Sequence, residues 1–256
     1  MKVRPGATVH VSSSEGATLE LDSDIAVTAA LLVPRVADPV EIDLDAGTLA
    51  WPDIDAPDVV EVKWLASAGD DRAACSTRVV VCSRHYFELS ELKGYGDGQD
   101  DFGSMPDERL AAARQAATEV FEENAARAFV PRVGSTKDFG KGDLLVLRHH
   151  DIRELLTDGY AQASDSQLSR LPGCGPFPAN VEYTYGVDDV PAEVSRAVLD
   201  LAAYTLRPSN RPIGATGEST DAGYIHFTTA GRDGATAIPE VNAAIEQFGA
   251  GKRYAW

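Results

Sequence analysis

Val60-Glu-Val-Lys-Trp64 places its three apolar residues at every second position, with charged residues between them. That is the period of a strand with one face on a core and the other in water. Val40-Glu-Ile-Asp-Leu44 repeats the pattern, with Val40, Ile42 and Leu44 on one face and the acids on the other. Working outward, short runs rich in Val, Thr and Leu recur at Ala7–Ser12, Thr18–Leu21, Ala26–Val33, Val40–Leu44, Val59–Ala66 and Thr77–Ser83. Ala46-Gly47, Ala68-Gly69-Asp70-Asp71 and the Pro52/Pro57 pair supply turn chemistry between them. Regular short strands without a helical period predict a small sandwich or barrel over residues 1–86.

The pattern then changes. Lys93-Gly-Tyr-Gly-Asp-Gly-Gln-Asp-Asp-Phe-Gly103 is loop chemistry, dense in glycine and aspartate. Behind it, Ser104-Met-Pro-Asp107 resembles a capping box. Leu110, Ala113, Ala117, Val120, Phe121 and Asn124 follow as one helical stripe that runs to about Phe129 and stops at Pro131. Residues 132–186 return to strand-like segments, the best being Leu144–Leu147 and Val181–Tyr185. A second helix opens near Asp189-Val-Pro191, with proline in its first turn and a face of Val194, Ala197, Val198, Leu201 and Tyr204/Thr205. A third opens at Pro239, with Val241, Ala244, Ile245 and Phe248 as its face and Gly249 as its stop. The fold class is therefore α+β: an N-terminal β-rich, sandwich-like domain over 1–86, then a helical domain over 87–256 with inserted β-hairpin strands and a flexible C-terminal tail.

The chain has 256 residues, 44% of them hydrophobic and 25% charged, which predicts a folded protein rather than a disordered one. Forty acids against 23 bases give −17, spread along the chain, a balance that disfavours a protein built to grip duplex nucleic acid. The longest apolar run, Ile25–Val33, is too short for a membrane span. Pro5, Gly6 and His10 interrupt any signal-peptide layout. Three cysteines, an odd count, argue against a disulfide framework and fit a reducing compartment.

Candidate chemistry is sparse. Gly94, Gly96 and Gly98 lack the spacing and context of a phosphate loop and read as linker. Asp97, Asp100 and Asp101 are hard-cation ligand types, but their spacing misses a calcium loop and fits a solvated acidic linker. His149-His150-Asp151 is the one histidine cluster; on a strand the two rings would point to opposite faces and would not converge on a metal. His226 sits in another strand-like run, Tyr224–Thr228. Cys75 and Cys82 could pair only within a hairpin, leaving Cys174 over, and all three read better as small buried hydrophobes. Gly134-Ser135 is not part of a nucleophile elbow. The expectation is a protein without catalytic, cofactor or metal sites.

Four segments resemble the head-to-tail connector (adaptor) proteins of tailed bacteriophages, of the actinobacterial siphophage type. They are Tyr86-Phe-Glu-Leu-Ser-Glu-Leu-Lys93, the helix from Leu110 to Arg132, the strand-turn-helix joint from Val181 to Leu199, and Ser219–Gly231 followed by Gly234 and Ile238-Pro-Glu-Val-Asn242. Together they span residues 84–249, and their order carries the likeness more than any one motif. The resemblance implies a non-enzymatic virion protein at the neck, assembled in the host cytoplasm into a homo-oligomeric ring of about twelve copies beneath the portal. Its partners would be the portal protein, a head-completion, stopper or tail-side neck protein, and its own copies. DNA would pass through the channel without specific binding, which suits an anionic ring, and no membrane is involved. In such connectors the C-terminal segment reaches the portal, so Lys252, Arg253, Tyr254 and Trp256 become the expected docking residues. The alternatives are an immunoglobulin-like module acting as a capsid decoration or carbohydrate-binding protein, and a hydrolase. The first needs exposed aromatic platforms, whereas Trp51 and Trp64 lie in strand-like contexts; the second lacks motifs.

Overall fold

The computed structural model describes residues 1–13, 17–35, 38–67, 69, 72–95, 102–207, 217–220, 223–226 and 236–250. Two compact units emerge. One comprises Met1–His85 and Ala128–Asp189, the other Tyr86–Arg127 and Val190–Trp256. Packing thus groups residues 128–189 with the first 85, whereas a reading in chain order groups them with the helices.

Unit 1 opens with eight strands: β1 (Lys2–Val3), β2 (Thr8–Ser12), β3 (Thr18–Leu21), β4 (Ala29–Val33), β5 (Val40–Asp43), β6 (Thr48–Ala50), β7 (Asp58–Leu65) and β8 (Ala73–Cys82). They form a five-stranded sheet, β2-β8-β7-β4-β5, and a three-stranded sheet, β1-β3-β6. Val3, Leu19 and Leu49 from the small sheet share one core with Leu32, Val60, Val62, Trp64, Val79 and Val81 from the large one. This is the expected sandwich. Val60, Val62 and Trp64 are fully buried, and the Trp64 indole Nε1 donates to Thr77 Oγ1 at 3.0 Å, so the largest core side chain leaves no polar atom unpaired.

The alternation in β5 is only half realised. Among the described residues β5 pairs with β4 alone, at the sheet edge, so Val40 is 47% exposed and Ile42 half-buried despite the pattern. Cys75 and Cys82 lie on the single strand β8, seven positions apart. At roughly 3.3 Å per residue their separation is several times the reach of a disulfide.

The rest of unit 1 is a second β assembly: β9 (Arg132–Asp138), β10 (Leu144–Val146), β11 (Ile152–Leu155), β12 (Tyr160–Ser164), β13 (Gln167–Arg170) and β14 (Ala179–Tyr185). They make two three-stranded antiparallel sheets, β11-β14-β9 and β10-β13-β12. Leu145, Leu147, Ile152, Tyr160, Leu168, Val181 and Tyr183 close their common core. These strands bury an apolar face among themselves, and Arg35 Nη1, from the first half of the unit, donates to Glu182 Oε1 on β14 at 2.8 Å. That is the physical basis for their grouping away from the helices.

Unit 2 holds α1 (Leu89–Lys93), a 3₁₀ turn at Phe102–Ser104, α2 (Asp107–Ala125), α3 (Ala192–Leu206), the hairpin β15 (Gly217–Thr220) and β16 (Gly223–His226), and α4 (Pro239–Phe248). The three longer helices pack pairwise on one another. Several sequence expectations need correction here. Ser104 sits in the 3₁₀ turn and does not cap α2, whose N-cap is Pro106 without a side-chain bond. A capping box does exist, but at α1, where the Glu88 amide donates to Glu91 Oε2 at 2.7 Å.

The buried face of α2 is Leu110, Ala113, Arg114, Ala117, Thr118, Phe121 and Ala125, while Val120 is 40% exposed and Asn124 also faces water. The stripe is rotated from the expected one because Arg114 is turned inward, its Nη1 donating to the Phe87 carbonyl at 3.3 Å. The helix also ends at Ala125, not near Phe129, because Ala126 adopts a left-handed conformation. On α3, Val194, Ala197, Val198 and Leu201 are buried as expected, but Leu206 replaces Tyr204 and Thr205 in the last turn. Pro191 is the N-cap rather than a first-turn residue. The α4 bounds and its Val241, Ala244 and Ile245 face match expectation. Gly249 ends it as expected, with an extended backbone, and an added Cβ would fall 2.5 Å from the Ile245 carbonyl oxygen and 3.1 Å from that of Ala125. The absence of a side chain lets the chain pass close to the end of α2, where the Ala250 amide donates to the Ala125 carbonyl at 2.9 Å. No described helix is long and apolar enough to cross a membrane.

Candidate interaction surface

The site with the most defined geometry begins at the end of β9. Asp138 is 1% exposed, and Arg170 from β13 grips its carboxylate with two parallel bonds, Nη2 to Oδ1 at 2.5 Å and Nε to Oδ2 at 2.6 Å. Tyr160 Oη donates to Oδ2 at 2.9 Å and the Gly140 amide to Oδ1 at 2.8 Å. The Arg170 bonds, against the opposing effect of burial, hold the Asp138 carboxyl at a pKa of about 2. Burial, with Cys174 and Asp138 as neighbours, pushes the Tyr160 phenol well above its ordinary range. Such a carboxylate is an acceptor already spent on four donors, which suits a lock rather than a base.

The lock fixes a loop. Arg170 Nη1 donates to the Lys141 carbonyl at 3.0 Å and also to that of Gly142, so residues 139–142 are tied down from below. Gly140 has φ +74° and abuts the Phe177 ring, where an added Cβ would lie 2.6 Å away. The Arg170 guanidinium stands 5.7 Å from the centre of that same ring.

What this scaffold presents is apolar. Leu145 and Leu147 point into the core, so Leu144 and Val146 point out, 48% and 59% exposed. Leu144 pairs with Ser169 and Val146 with Gln167, which puts Leu171, 45% exposed, on the same outward face. Phe139 and Phe177, in the loops beside the Asp138–Arg170 pair, are 64% and 38% exposed. Of the nine exposed large hydrophobics among the described residues, Leu144, Val146 and Leu171 share this one face. The exposed charge from β10 to β13 is mixed, with Lys141, Arg148 and Arg153 against Asp143, Glu154, Asp158 and Asp165. The Lys137 ammonium lies 5.8 Å from the Phe139 ring centre.

The histidine cluster lies nearby but does something else. His149 sits in the loop after β10, not on a strand as expected; its Nδ1 is 2.9 Å from Tyr183 Oη and its ring stacks on Tyr185 with centroids 3.9 Å apart. Tyr183 Oη is also 3.2 Å from Thr136 Oγ1. Gly134 makes room for this cluster, since an added Cβ would meet the Tyr183 ring at 2.8 Å. Burial, helped by Arg148 and His150, lowers the His149 pKa to about 4. His149 is thus a neutral packing element between tyrosines. Asp151 has a left-handed backbone at φ 58°, and no group of three or more His, Cys, Asp or Glu side chains among the described residues is placed to hold a metal ion. Ser135 lies exposed on β9 opposite Glu182. Cys82 is buried, whereas Cys75 and Cys174 are half-buried, and none of the three is in a disulfide. Gly96, Asp97, Gly98, Asp100, Asp101 and the tail residues Lys252, Arg253, Tyr254 and Trp256 lie outside the described residues.

The exposed face was missed in the sequence reading, which took Leu144–Leu147 only as a strand. The signal was available: four consecutive apolar residues on one strand cannot all point inward unless both faces are covered.

No family model matches the chain, and no curated protein does. Among solved structures, one chain from the "Neck of empty GTA particle computed with C6 symmetry" is 18% identical with a TM-score of 0.37, covering 50% of this chain and 82% of its own. A chain from the "Virion of native gene transfer agent (GTA) particle" is 18% identical with a TM-score of 0.42, covering 67% of this chain and 93% of its own. At TM-scores below 0.5 neither likeness assigns this chain a fold family or a role.

Proposed function

We propose that the chain is a structural protein of a phage-like particle, a head-to-tail connector whose copies form a ring under the portal, extend the DNA channel and join capsid to tail. The observation that carries this reading is the exposed apolar face of unit 1, held rigid by the Asp138–Arg170 lock. A rigid, exposed apolar face rimmed by charge suits protein docking. The resemblance in sequence adds the kind of docking. Its segments fall on α1, on α2, on the joint from β14 into α3 and on the start of α4, so in unit 2 they supply the helices that pack on one another. The net charge of −17 suits a channel that DNA slides through without being gripped.

In this reading Lys252, Arg253, Tyr254 and Trp256 form the portal anchor, two cations and two aromatics on an otherwise acidic chain. The decoration or carbohydrate-binding alternative is disfavoured because Trp64 is fully buried and Trp51 half-buried, leaving neither as a sugar platform. The test is to mix the full chain with tailless, portal-bearing heads, pellet the heads and image them. A ring at the portal vertex, lost on truncation after Phe248, is the expected result. Binding spread over the capsid exterior, or no binding at all, would overturn the connector role; unchanged binding after truncation would overturn the anchor alone.

A further inference from the structure

We draw no further inference here: the strongest candidate, the outward apolar face of Leu144, Val146 and Leu171 on the β10-β13-β12 sheet, carries nothing because the exposed charge around it is mixed and nothing in the structure shows what covers it.

Discussion

The two β assemblies of unit 1 are made from the same kind of element and held by different forces. The sandwich of β1–β8 hides Leu19, Leu32, Leu49, Val60, Val62, Trp64 and Val79 completely; its buried polar contacts are local, the Trp64 indole on Thr77 and the Asp58 carboxylate accepting from the Arg35 and Val59 amides. The sheets of β9–β14 bury fewer large side chains and rely on Asp138–Arg170–Tyr160 and on the Tyr183–His149–Tyr185 stack. They also leave Leu144, Val146 and Leu171 in water. A closed layer spends its apolar residues on its own stability. An open layer held by a polar lock keeps some of them for a partner, because an ion pair fixes geometry without needing the outer face.

If the sandwich depends on apolar burial, the largest single effect should come from Trp64→Ala. The cavity and the lost indole bond to Thr77 together should cost about 3–5 kcal/mol, read as a fall in the urea midpoint. A loss under about 1 kcal/mol would mean that the core collapses around the gap, and the contrast drawn between the two assemblies would fail. Asp138→Ala should act next: Arg170, its side chain 10% accessible, loses two charge-assisted bonds and keeps only the Lys141 and Gly142 carbonyls, while Tyr160 and the Gly140 amide lose their acceptor. Amide exchange should speed up over residues 139–142 and leave β7 protected. Uniform loss of protection across both assemblies would show that the lock supports the whole unit and not its second half.

These two substitutions also mark how much could be read from sequence. Strict alternation announced β7, and proline and glycine bracketed α4 to the residue, because local pattern and tertiary role coincide there. The lock was not legible: Asp138 and Arg170 are 32 residues apart, in segments whose pairing is set by register and not by any motif. The turned face of α2 was hidden for a similar reason, since an arginine at position 114 reads as solvent-facing until the Phe87 carbonyl is brought to it. His149 was legible as a cluster but not as a tyrosine-stacked packing element, because its setting comes from β14.

A smaller effect separates the two halves by pH. His149 has its pKa lowered from 6.5 to about 4, so protonation favours the unfolded chain. Its contribution is present above pH 6.5 and should be lost as pH falls from 6.5 to 4. Asp138, lowered from 3.8 to about 2, should give a second loss as pH falls from about 4 to 2. Urea midpoints measured across this range should fall in two steps. His149→Gln should flatten the first step and Asp138→Ala the second. A His149→Gln profile as steep as the wild type between pH 6.5 and 4 would assign that slope elsewhere.

The smallest effect on stability is expected where the proposed function is concentrated. Leu144→Glu and Val146→Glu place a carboxylate on side chains already about half in water, next to Lys141 and Arg148, so the fold should change by no more than about 0.5 kcal/mol. Leu145→Glu, one residue along the same strand, is the control. Leu145 is 9% exposed and faces the core with Leu168, so the same carboxylate would there be buried without a partner and should unfold the sheet. The pair of outcomes gives the comparison its sharpest form: on one short strand, alternate residues would answer to different demands, inward ones to folding and outward ones to assembly. Thermal melts of the three single variants, together with their self-association, check it. If Leu144→Glu destabilises the chain as much as Leu145→Glu does, the outer face belongs to the core of the free chain, and the open layer on which the docking argument stands does not exist.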